Sequence, residues 1–359
     1  MEAELWQRLP EELLCMVLAR LPTRVLGKMR TVCKQWNYLL SSRDALQRFI
    51  PNWSLHSTPG FLIKFQWDWN DDVEYWAIEG RGRGSDIYKV PLLNQNVVDT
   101  CKGIFCCHRK GDSLDLSIGI PGTRNWRHLP LPPAPISYFS GMAFDSSTGR
   151  CTLLLGYHYY TERRGQQGRR MEMCSYDSES NAWTGVSMMV PDHLQPWGKG
   201  IYSKGKFYCQ AFSDNPCNFI LAFNIADGLW TEIPLPEGLT TNNFKNNLRE
   251  YDGQVVLVEQ EEADCVRMWK LNEAEKFEIW CELRASRLTK GLFQSFPYVT
   301  VNSSGLIMII DTKVNVYIFN SKGKLIVRKM RLRLPGLRRS QEPFRVSGLA
   351  FESNNLWWP

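Results

Sequence analysis

The stretch Leu9-Pro10-Glu11-Glu12-Leu13-Leu14-Cys15-Met16-Val17-Leu18-Ala19-Arg20-Leu21-Pro22 decides how this chain is organised. Its apolar residues at positions 13, 14, 17, 18 and 21 recur with the period of one stripe on a helix. Pro10 suits the first helical turn, where its missing N–H is not needed, and Pro22 ends the helix. The stretch therefore predicts an amphipathic helix whose apolar stripe must be covered by something else.

Two further short helices are expected within the first 50 residues. The apolar residues between 25 and 29 predict the second, and the third begins near Val32 with Trp36 and Leu39 on one side. Three such helices bury too little surface to be secure alone. Spacing by itself leaves two interpretations open, a helical cap packed on the rest of the chain or a unit that binds another protein.

Beyond residue 59 the helical period gives way to short β-rich runs between turn residues. A strand, a glycine-containing turn and a second strand recur, with the glycines at positions 103, 149, 205, 253 and 305. A later aromatic or apolar strand follows each copy, at Trp126, Trp183, Trp230, 277–280 and 325–327. A period near fifty with about four strands per unit is typical of a β-propeller blade.

The two ends of this region together supply the strands of one further unit. Residues 344–351 are similar to the opening strand at 140–144, yet no complete unit follows them, and the strands predicted between 61 and 91 lack an opening strand. Pairing the C-terminal strand with the first blade would close the ring and remove two sheet edges. We therefore expect an α+β chain with a helical module at 1–50, a linker at 51–59 and a propeller at 60–359. Six blades are favoured, and seven is the alternative.

The helical module resembles an F-box domain. The resemblance covers about residues 4–44 and rests on Leu9-Pro10, Leu13-Leu14, Leu21-Pro22 and Val32-Cys33-Lys34 followed by Trp36. It implies three helices that bind a Skp-type adaptor, which links the chain to cullin and RING subunits. Carried over position by position, the adaptor contacts are Leu9, Pro10, Leu13, Leu14, Leu18, Leu21, Pro22, Leu26, Val32, Trp36 and Leu39. Some of these hold the helices together instead, and the sequence does not sort them.

An F-box followed by this propeller is similar to plant-type F-box/kelch proteins. The paired glycines of the kelch signature are missing, whereas the recurring tryptophans and turn glycines remain. An F-box-associated propeller of non-kelch type is therefore the alternative.

The third unit contains the longest insertion, where an aromatic run at 156–160 leads into a loop at 162–170. Loop insertions on one face of a ring often carry binding. One interpretation is a mobile polar hairpin, and the other is a substrate-recognition loop that prefers an acidic partner. The residues of that candidate site are Tyr157, His158, Tyr159, Arg163, Arg164, Arg169 and Arg170.

No residue pattern predicts catalysis, a metal site or a cofactor. Cys101, Cys106, Cys107 and His108 lack zinc spacing, and neighbours on a strand face opposite sides. The net charge of +6 is concentrated at 328–339, which holds six basic residues. The alternation at 331–334 favours a half-exposed strand over a nucleic-acid patch.

The resemblance implies a substrate-recognition subunit of a ubiquitin ligase, with no catalytic residue of its own. An interaction protein that binds the adaptor without ligase assembly is the alternative. The chain lacks a long apolar run and a basic, apolar leader, and its eleven cysteines are scattered. We therefore expect no membrane partner, reduced thiols and a cytoplasmic or nuclear location.

Overall fold

A computed structural model of the chain contains two helices and 24 strands in the residues that it describes. The described residues are 9–18, 29–39, 59–67, 72–79, 86–90, 92, 95–101, 104–109, 111–119, 126–133, 139–145, 148–163, 166–186, 195–212, 217–239, 247–260, 265–284, 298–302, 305–310, 315–320, 322, 325–331 and 345–352.

Two of the three predicted helices lie in the described part of the chain. Helix α1 spans Glu11–Leu18 and α2 spans Lys34–Leu39. The Leu14 N–H donates to the Pro10 carbonyl at 3.0 Å, which closes the first turn of α1. Before α2, the Cys33 Sγ accepts a hydrogen bond from the Trp36 N–H at 3.4 Å and so caps the helix. The predicted second helix falls on residues outside the described ones, apart from Met29.

The strands follow one another as antiparallel four-stranded units. Unit 1 contains β1 (Pro59–Trp67), β2 (Asp72–Glu79) and β3 (Asp86–Lys89). Unit 2 contains β4 (Gln95–Cys101), β5 (Ile104–Arg109), β6 (Asp112–Gly119) and β7 (Trp126–His128). Unit 3 contains β8 (Phe139–Asp145), β9 (Arg150–Arg163), β10 (Gln166–Asp177) and β11 (Ala182–Val186).

The second half of the chain repeats this arrangement. Unit 4 contains β12 (Gln195–Ser203), β13 (Lys206–Phe212), β14 (Phe219–Asn224) and β15 (Trp230–Pro234). Unit 5 contains β16 (Asn247–Tyr251), β17 (Gln254–Gln260), β18 (Cys265–Leu271) and β19 (Phe277–Arg284). Unit 6 contains β20 (Tyr298–Val301), β21 (Ile307–Ile310), β22 (Asn315–Phe319) and β23 (Leu325–Arg331). The last strand is β24 (Arg345–Glu352).

Strand β24 returns to the start of the propeller region, as the sequence predicts. It pairs antiparallel with β1, with Ala350 opposite Phe61 and Gly348 opposite Ile63, so unit 1 has the order β24-β1-β2-β3. The opening strands of successive units contact one another in the order β24, β4, β8, β12, β16 and β20, and β20 contacts β24 again. The fold is therefore all-β and propeller-like.

The turn glycines lie where the repeat places them, between the first and second strands of their units. Gly149, Gly205, Gly253 and Gly305 have φ values of +71°, +83°, +69° and +73°. Glycine adopts this left-handed conformation without the Cβ clash that other residues meet, which explains why the repeat is marked by glycine. Gly103 lies outside the described residues.

The apolar core lies between neighbouring units. Phe207 belongs to a buried cluster that joins units 3 and 4, Leu257 to one that joins units 4 and 5, and Ile309 to one that joins units 5 and 6. Each such side chain contributes roughly 1.5–3 kcal/mol when it is fully buried. A single four-stranded unit would leave these faces in water, so the units must stack.

Candidate functional site

Helix α1 carries two apolar stripes with different environments. Leu14 and Leu18 are buried, with 0% and 1% of their surface exposed. Leu13 and Val17 are 48% and 41% exposed. Each pair is spaced i, i+4, so the two stripes lie side by side along the helix. The helix therefore packs inward through one stripe and presents the other.

The apolar residues in and just before α2 are likewise divided between buried and exposed positions. Trp36 and Leu39 are buried, whereas Val32 and Tyr38 are 58% and 60% exposed. The Arg30 Nε donates to the Asn37 Oδ1 at 3.2 Å and ties the turn before α2 to the helix itself. We call Leu13, Val17, Val32 and Tyr38 the helical apolar surface.

The buried side chains of both helices belong to the apolar cluster that joins units 2 and 3. Leu14, Leu18, Trp36 and Leu39 share this cluster with Leu116 and Leu129 of unit 2 and Phe144 and Tyr176 of unit 3. The helices are thus packed against the propeller, as the cap interpretation requires. The helical apolar surface nevertheless remains exposed, as a binding unit requires.

The residues predicted to contact an adaptor therefore fall into three groups. Pro10, Leu13 and Val32 are exposed and Leu9 is half-buried. Leu14, Leu18, Trp36 and Leu39 are buried, and Leu21, Pro22 and Leu26 lie outside the described residues. Val17 and Tyr38 are also exposed, although they are not among the predicted contacts. The i, i+4 relation of Val17 to Leu13 is the sequence signal that could have added it.

The insertion in unit 3 is a long β-hairpin. The strand β8 pairs with β9 only over residues 150–156, and β11 pairs with β10 only over residues 173–177. The two central strands continue together beyond these limits until Arg163 lies opposite Gln166. Of the segment 162–170, predicted as a loop, all but 164–165 is therefore strand, because the β9–β10 backbone ladder continues through it. We call residues 158–171 the ribbon.

Most of the predicted target-binding residues lie on the two paired strands of this hairpin. Tyr159 lies opposite Arg170, and Tyr157 lies opposite Glu172. The Tyr157 hydroxyl donates to the Glu172 Oε2 at 3.0 Å and closes the base of the ribbon. The same ladder sets His158 opposite Met171, Arg163 opposite Gln166 and Arg169 opposite Tyr160. Arg164 lies outside the described residues.

An ion pair between a buried carboxylate and a partly exposed lysine connects units 2 and 4. The Lys199 Nζ lies 3.0 Å from the Asp99 Oδ1, and the Thr100 N–H donates to the same oxygen at 2.7 Å. The Asp99 side chain is 6% exposed. Burial raises the pKa of Asp99, and the attraction of Lys199 offsets that effect only in part. No sequence motif predicts this pair, because its members are 100 residues apart.

The cysteines of β5 face opposite sides, as strand alternation predicts. Cys106 belongs to the cluster that joins units 2 and 3, and Cys107 to the cluster that joins units 1 and 2. Burial raises the pKa of both thiols. The thiols are therefore protonated at neutral pH, a state that is unreactive and binds metal poorly.

The described residues contain neither a metal-binding cluster nor a membrane-spanning helix. These residues hold no group of three or more His, Cys, Asp or Glu side chains that could bind a metal ion. Among the same residues there is no helix with the length and apolar character needed to span a membrane.

Comparison with known proteins agrees with this organisation. Residues 6–47 match the F-box domain family, and residues 83–327 match the family described as "F-box protein At3g26010-like, beta-propeller". The "F-box protein At5g49610" of Arabidopsis thaliana is 25% identical over 338 residues, which cover 88% of this chain and 89% of that protein. The "F-box/kelch-repeat protein At3g61590" of the same plant is 30% identical over 128 residues, which cover 35% of this chain and 30% of that protein.

These matches confirm the resemblance drawn from the sequence, both for the helical module and for the propeller. The matched propeller family is described without the kelch name, which some of the relatives carry. The chain belongs to the family of F-box proteins that carry an At3g26010-like β-propeller.

Proposed function

We propose that this chain is the substrate-recognition subunit of an E3 ubiquitin ligase of the Skp–cullin–F-box type. In this proposal the F-box binds a Skp-type adaptor, the propeller recruits a target protein, and catalysis belongs to other subunits. Tethering the target raises the effective concentration of its lysines near the transferred ubiquitin. The proposed location is the cytoplasm or the nucleus, where such assemblies and reduced cysteines are compatible.

The helical apolar surface is the observation that carries this proposal. Leu13, Val17 and Tyr38 on the helices and Val32 in the turn before α2 stay between 41% and 60% exposed. Other apolar residues of the same two helices are buried. Half of the large apolar side chains that are exposed in the described ranges lie in these two short segments. Grouped apolar residues mark an interaction surface more often than scattered ones do. Covering it removes apolar area from water, which contributes roughly 25 cal/mol per Å².

We also propose that the propeller is a closed ring of six blades over residues 60–359, joined to the F-box by a linker at 51–59. The six antiparallel units and the cyclic contacts of their opening strands support six blades over seven. The pairing of β24 with β1 supports closure, because it leaves neither terminal strand as an open inner edge. A closed ring would hold the target-binding side chains in a constant arrangement.

Co-expression with a Skp-type adaptor tests the docking half of the proposal. We expect the wild-type chain to co-purify with the adaptor as one peak in size-exclusion chromatography. Leu13→Asp with Val17→Asp should abolish co-purification, because two charges would then be buried against the adaptor. The milder pair Leu9→Ala with Pro10→Ala should weaken binding severalfold. Circular dichroism of each variant shows whether the fold is retained.

Ile279→Asp is the matched control, since Ile279 is 59% exposed on the propeller strand β19. It should leave adaptor binding unchanged. A wild-type chain that stays monomeric beside the adaptor would refute the proposal and leave the helices as a cap. An adaptor complex that takes up no cullin or RING subunit would instead support the alternative of an interaction protein outside a ligase.

A further inference from the structure

We infer that adaptor binding is coupled to the packing of the propeller, because units 2 and 3 supply part of the core that positions the adaptor-binding helices. The inference rests on the proposed function for the identity of the partner, a Skp-type adaptor. It goes beyond that function, because it gives Leu129 and its neighbours in the propeller a positioning role in adaptor binding.

The helices and the propeller share one core. Helix α1 contributes Leu14 and Leu18 to it, and α2 contributes Trp36 and Leu39, all of them between 0% and 8% exposed. Leu129 of unit 2 belongs to the same core and is 7% exposed. We call the cluster that joins units 2 and 3 and contains these residues the shared core.

The two described helices are short and depend on packing. Helix α1 has eight residues and α2 has six. Isolated helices of fewer than about 12–15 residues are marginal in water, and most helical stability in proteins comes from the packing of an apolar face. The shared core is where α1 and α2 bury such a face, so it stabilises both helices.

The same packing orients the helical apolar surface. Leu14 and Leu18 each follow directly after an exposed residue of α1, Leu13 and Val17. Because the four residues belong to one helix, burial of one stripe fixes the direction in which the other stripe faces. If the helices left the shared core, the exposed stripe would lose its fixed position relative to Tyr38 of α2. The adaptor therefore binds the docked state, in which the helices pack on the propeller.

Coupling of this kind acts in both directions. An adaptor that binds only the docked state shifts the population of molecules toward that state, and the docked state keeps the shared core closed. A substitution on the propeller side of the shared core lowers the docked fraction, and the apparent adaptor affinity falls by the same factor. The propeller thus affects adaptor binding without any contact with the adaptor.

The competing interpretation is that the adaptor and the propeller use the same stripe. The F-box resemblance assigns Leu14, Leu18, Trp36 and Leu39 as adaptor contacts, and an adaptor that bound them would have to displace the propeller. The docked state is favoured because a second apolar stripe, which includes Leu13, stays exposed while the first is buried. An adaptor can cover this stripe without exposing the shared core to water, which would cost free energy.

Buried cysteines report on the shared core without any substitution. Cys151 and Cys174 are 0% and 1% exposed in the shared core, whereas Cys209 is 0% exposed in the cluster that joins units 3 and 4. Buried thiols are inert, so alkylation requires local opening of the structure around them. The initial rate of alkylation by iodoacetamide is measured on the full chain, separately for each cysteine, by peptide mass spectrometry.

We expect adaptor at about 100 times its Kd to slow the alkylation of Cys151 and Cys174 about tenfold or more, since binding at that excess stabilises the docked state up to about 100-fold. The rate at Cys209 should stay unchanged. Without adaptor, Leu14→Ala with Leu18→Ala should speed the alkylation of Cys151 and Cys174 about tenfold, because the helices then pack less well on the propeller.

A matched pair of propeller substitutions measures the reverse effect. Leu129 and Ile233 hold the same position in the repeat, three residues after Trp126 and Trp230, and are 7% and 1% exposed. The cluster of Leu129 includes helix residues, whereas Ile233 belongs to the cluster that joins units 4 and 5. Leu129→Ala should weaken adaptor binding about tenfold in titration calorimetry. Ile233→Ala should leave adaptor binding unchanged, although it also removes a buried side chain.

The inference would be overturned if bound adaptor left the alkylation of Cys151 and Cys174 unchanged, sped it, or slowed that of Cys209 equally. Faster alkylation would support the competing interpretation. Equal effects of Leu129→Ala and Ile233→Ala on adaptor affinity would also overturn it. The alkylation test uses the wild-type chain, so it decides even where a variant fails to fold.

Failure of the inference and failure of the proposed function give different results. If the inference alone fails, the wild-type chain binds the adaptor and the alkylation rates do not respond as expected. A wild-type chain that binds no adaptor refutes the proposed function, and the coupling falls with it.

Discussion

At the scale of single residues, the ion pair of Asp99 and Lys199 shows how a charge is held inside the propeller. Asp99 is almost completely buried, and its Oδ2 has no hydrogen-bond partner among the described residues. A buried carboxylate of this kind costs free energy unless it is paired or protonated. Lys199 supplies the pairing from unit 4, and burial still leaves the pKa of Asp99 raised.

The raised pKa of Asp99 predicts the sign of its effect on stability. The folded chain holds the proton of Asp99 more tightly than the unfolded chain does. The contribution of Asp99 to the free energy of unfolding is therefore greatest below its pKa in the unfolded chain, which is about 3.9. It is lost as pH rises through the pKa of Asp99 in the folded chain. We predict that the stability of wild type relative to Asp99→Asn falls as pH rises from about 4, as measured by urea unfolding midpoints.

Asp177→Asn is a control for which we expect the pH dependence of stability to have the opposite sign. Partial burial acts to raise the pKa of Asp177, but the hydrogen bonds from Arg150, at 2.7 Å, and from the Glu179 and Ser180 N–H groups lower it overall. The contribution of Asp177 to the free energy of unfolding is present above its pKa in the unfolded chain. It is lost as pH falls through the pKa of Asp177 in the folded chain. An Asp99→Asn variant that followed the same trend as Asp177→Asn would contradict the assignment.

At the scale of elements, the junction of β8 and β12 joins two units more closely than the others. Residues 139–141 pair in parallel with residues 198–200, which merges units 3 and 4 into one eight-stranded sheet. Gly141 and Gly200 permit the close approach of the two strands, because neither residue has a Cβ. A Cβ on Gly200 would lie 2.7 Å from the Phe139 Cζ and 3.3 Å from the Gly141 Cα.

We predict that Gly200→Ala lowers the free energy of unfolding by about 1–3 kcal/mol, because the new methyl group overpacks this junction. Chemical denaturation measures the change. Gly185→Ala is the matched control, since a Cβ added to Gly185 in β11 would meet no described atom within 4 Å. It should change stability by less than ~0.5 kcal/mol. Equal effects at both glycines would contradict the close approach.

At the scale of the whole molecule, the C-terminal strand completes the first unit. Strand β24 covers the inner edge of β1 along eight residue pairs, from Pro59 opposite Glu352 to Gln66 opposite Arg345. It also contacts the opening strands of units 2 and 6. Without β24, the first unit would have an open edge beside the fully buried side chains of Leu62 and Ile63.

We predict that a chain ending at Pro343 aggregates, because the exposed edge of β1 offers a template for pairing between molecules. Size-exclusion chromatography measures the monomer fraction. A synthetic peptide of residues 344–352, added during refolding, should restore the monomer by pairing with β1. A scrambled peptide of the same composition is the control. A truncated chain that stays monomeric without the peptide would show that β24 is dispensable for closure.

The repeat, the turn glycines and the F-box pattern could all be predicted from the amino-acid sequence. Each of these depends on local chemistry. A positive φ such as that of Gly149 or Gly205 favours glycine at that position whatever lies around it, and strand spacing follows from the residues of one unit. The role of β24 could also be predicted, because residues 344–351 are similar to another opening strand and have no unit of their own.

Only the packing of the folded chain determines which apolar residues face outward. Leu13 with Val17 and Leu14 with Leu18 have the same spacing and the same chemistry, so helical periodicity cannot tell the stripes apart. Packing against units 2 and 3 covers one stripe and leaves the other exposed. The pairing of Asp99 with Lys199 is likewise set by the ring, which brings together residues that lie 100 positions apart. Such contacts depend on which residues the fold places opposite one another. The local sequence therefore cannot predict them.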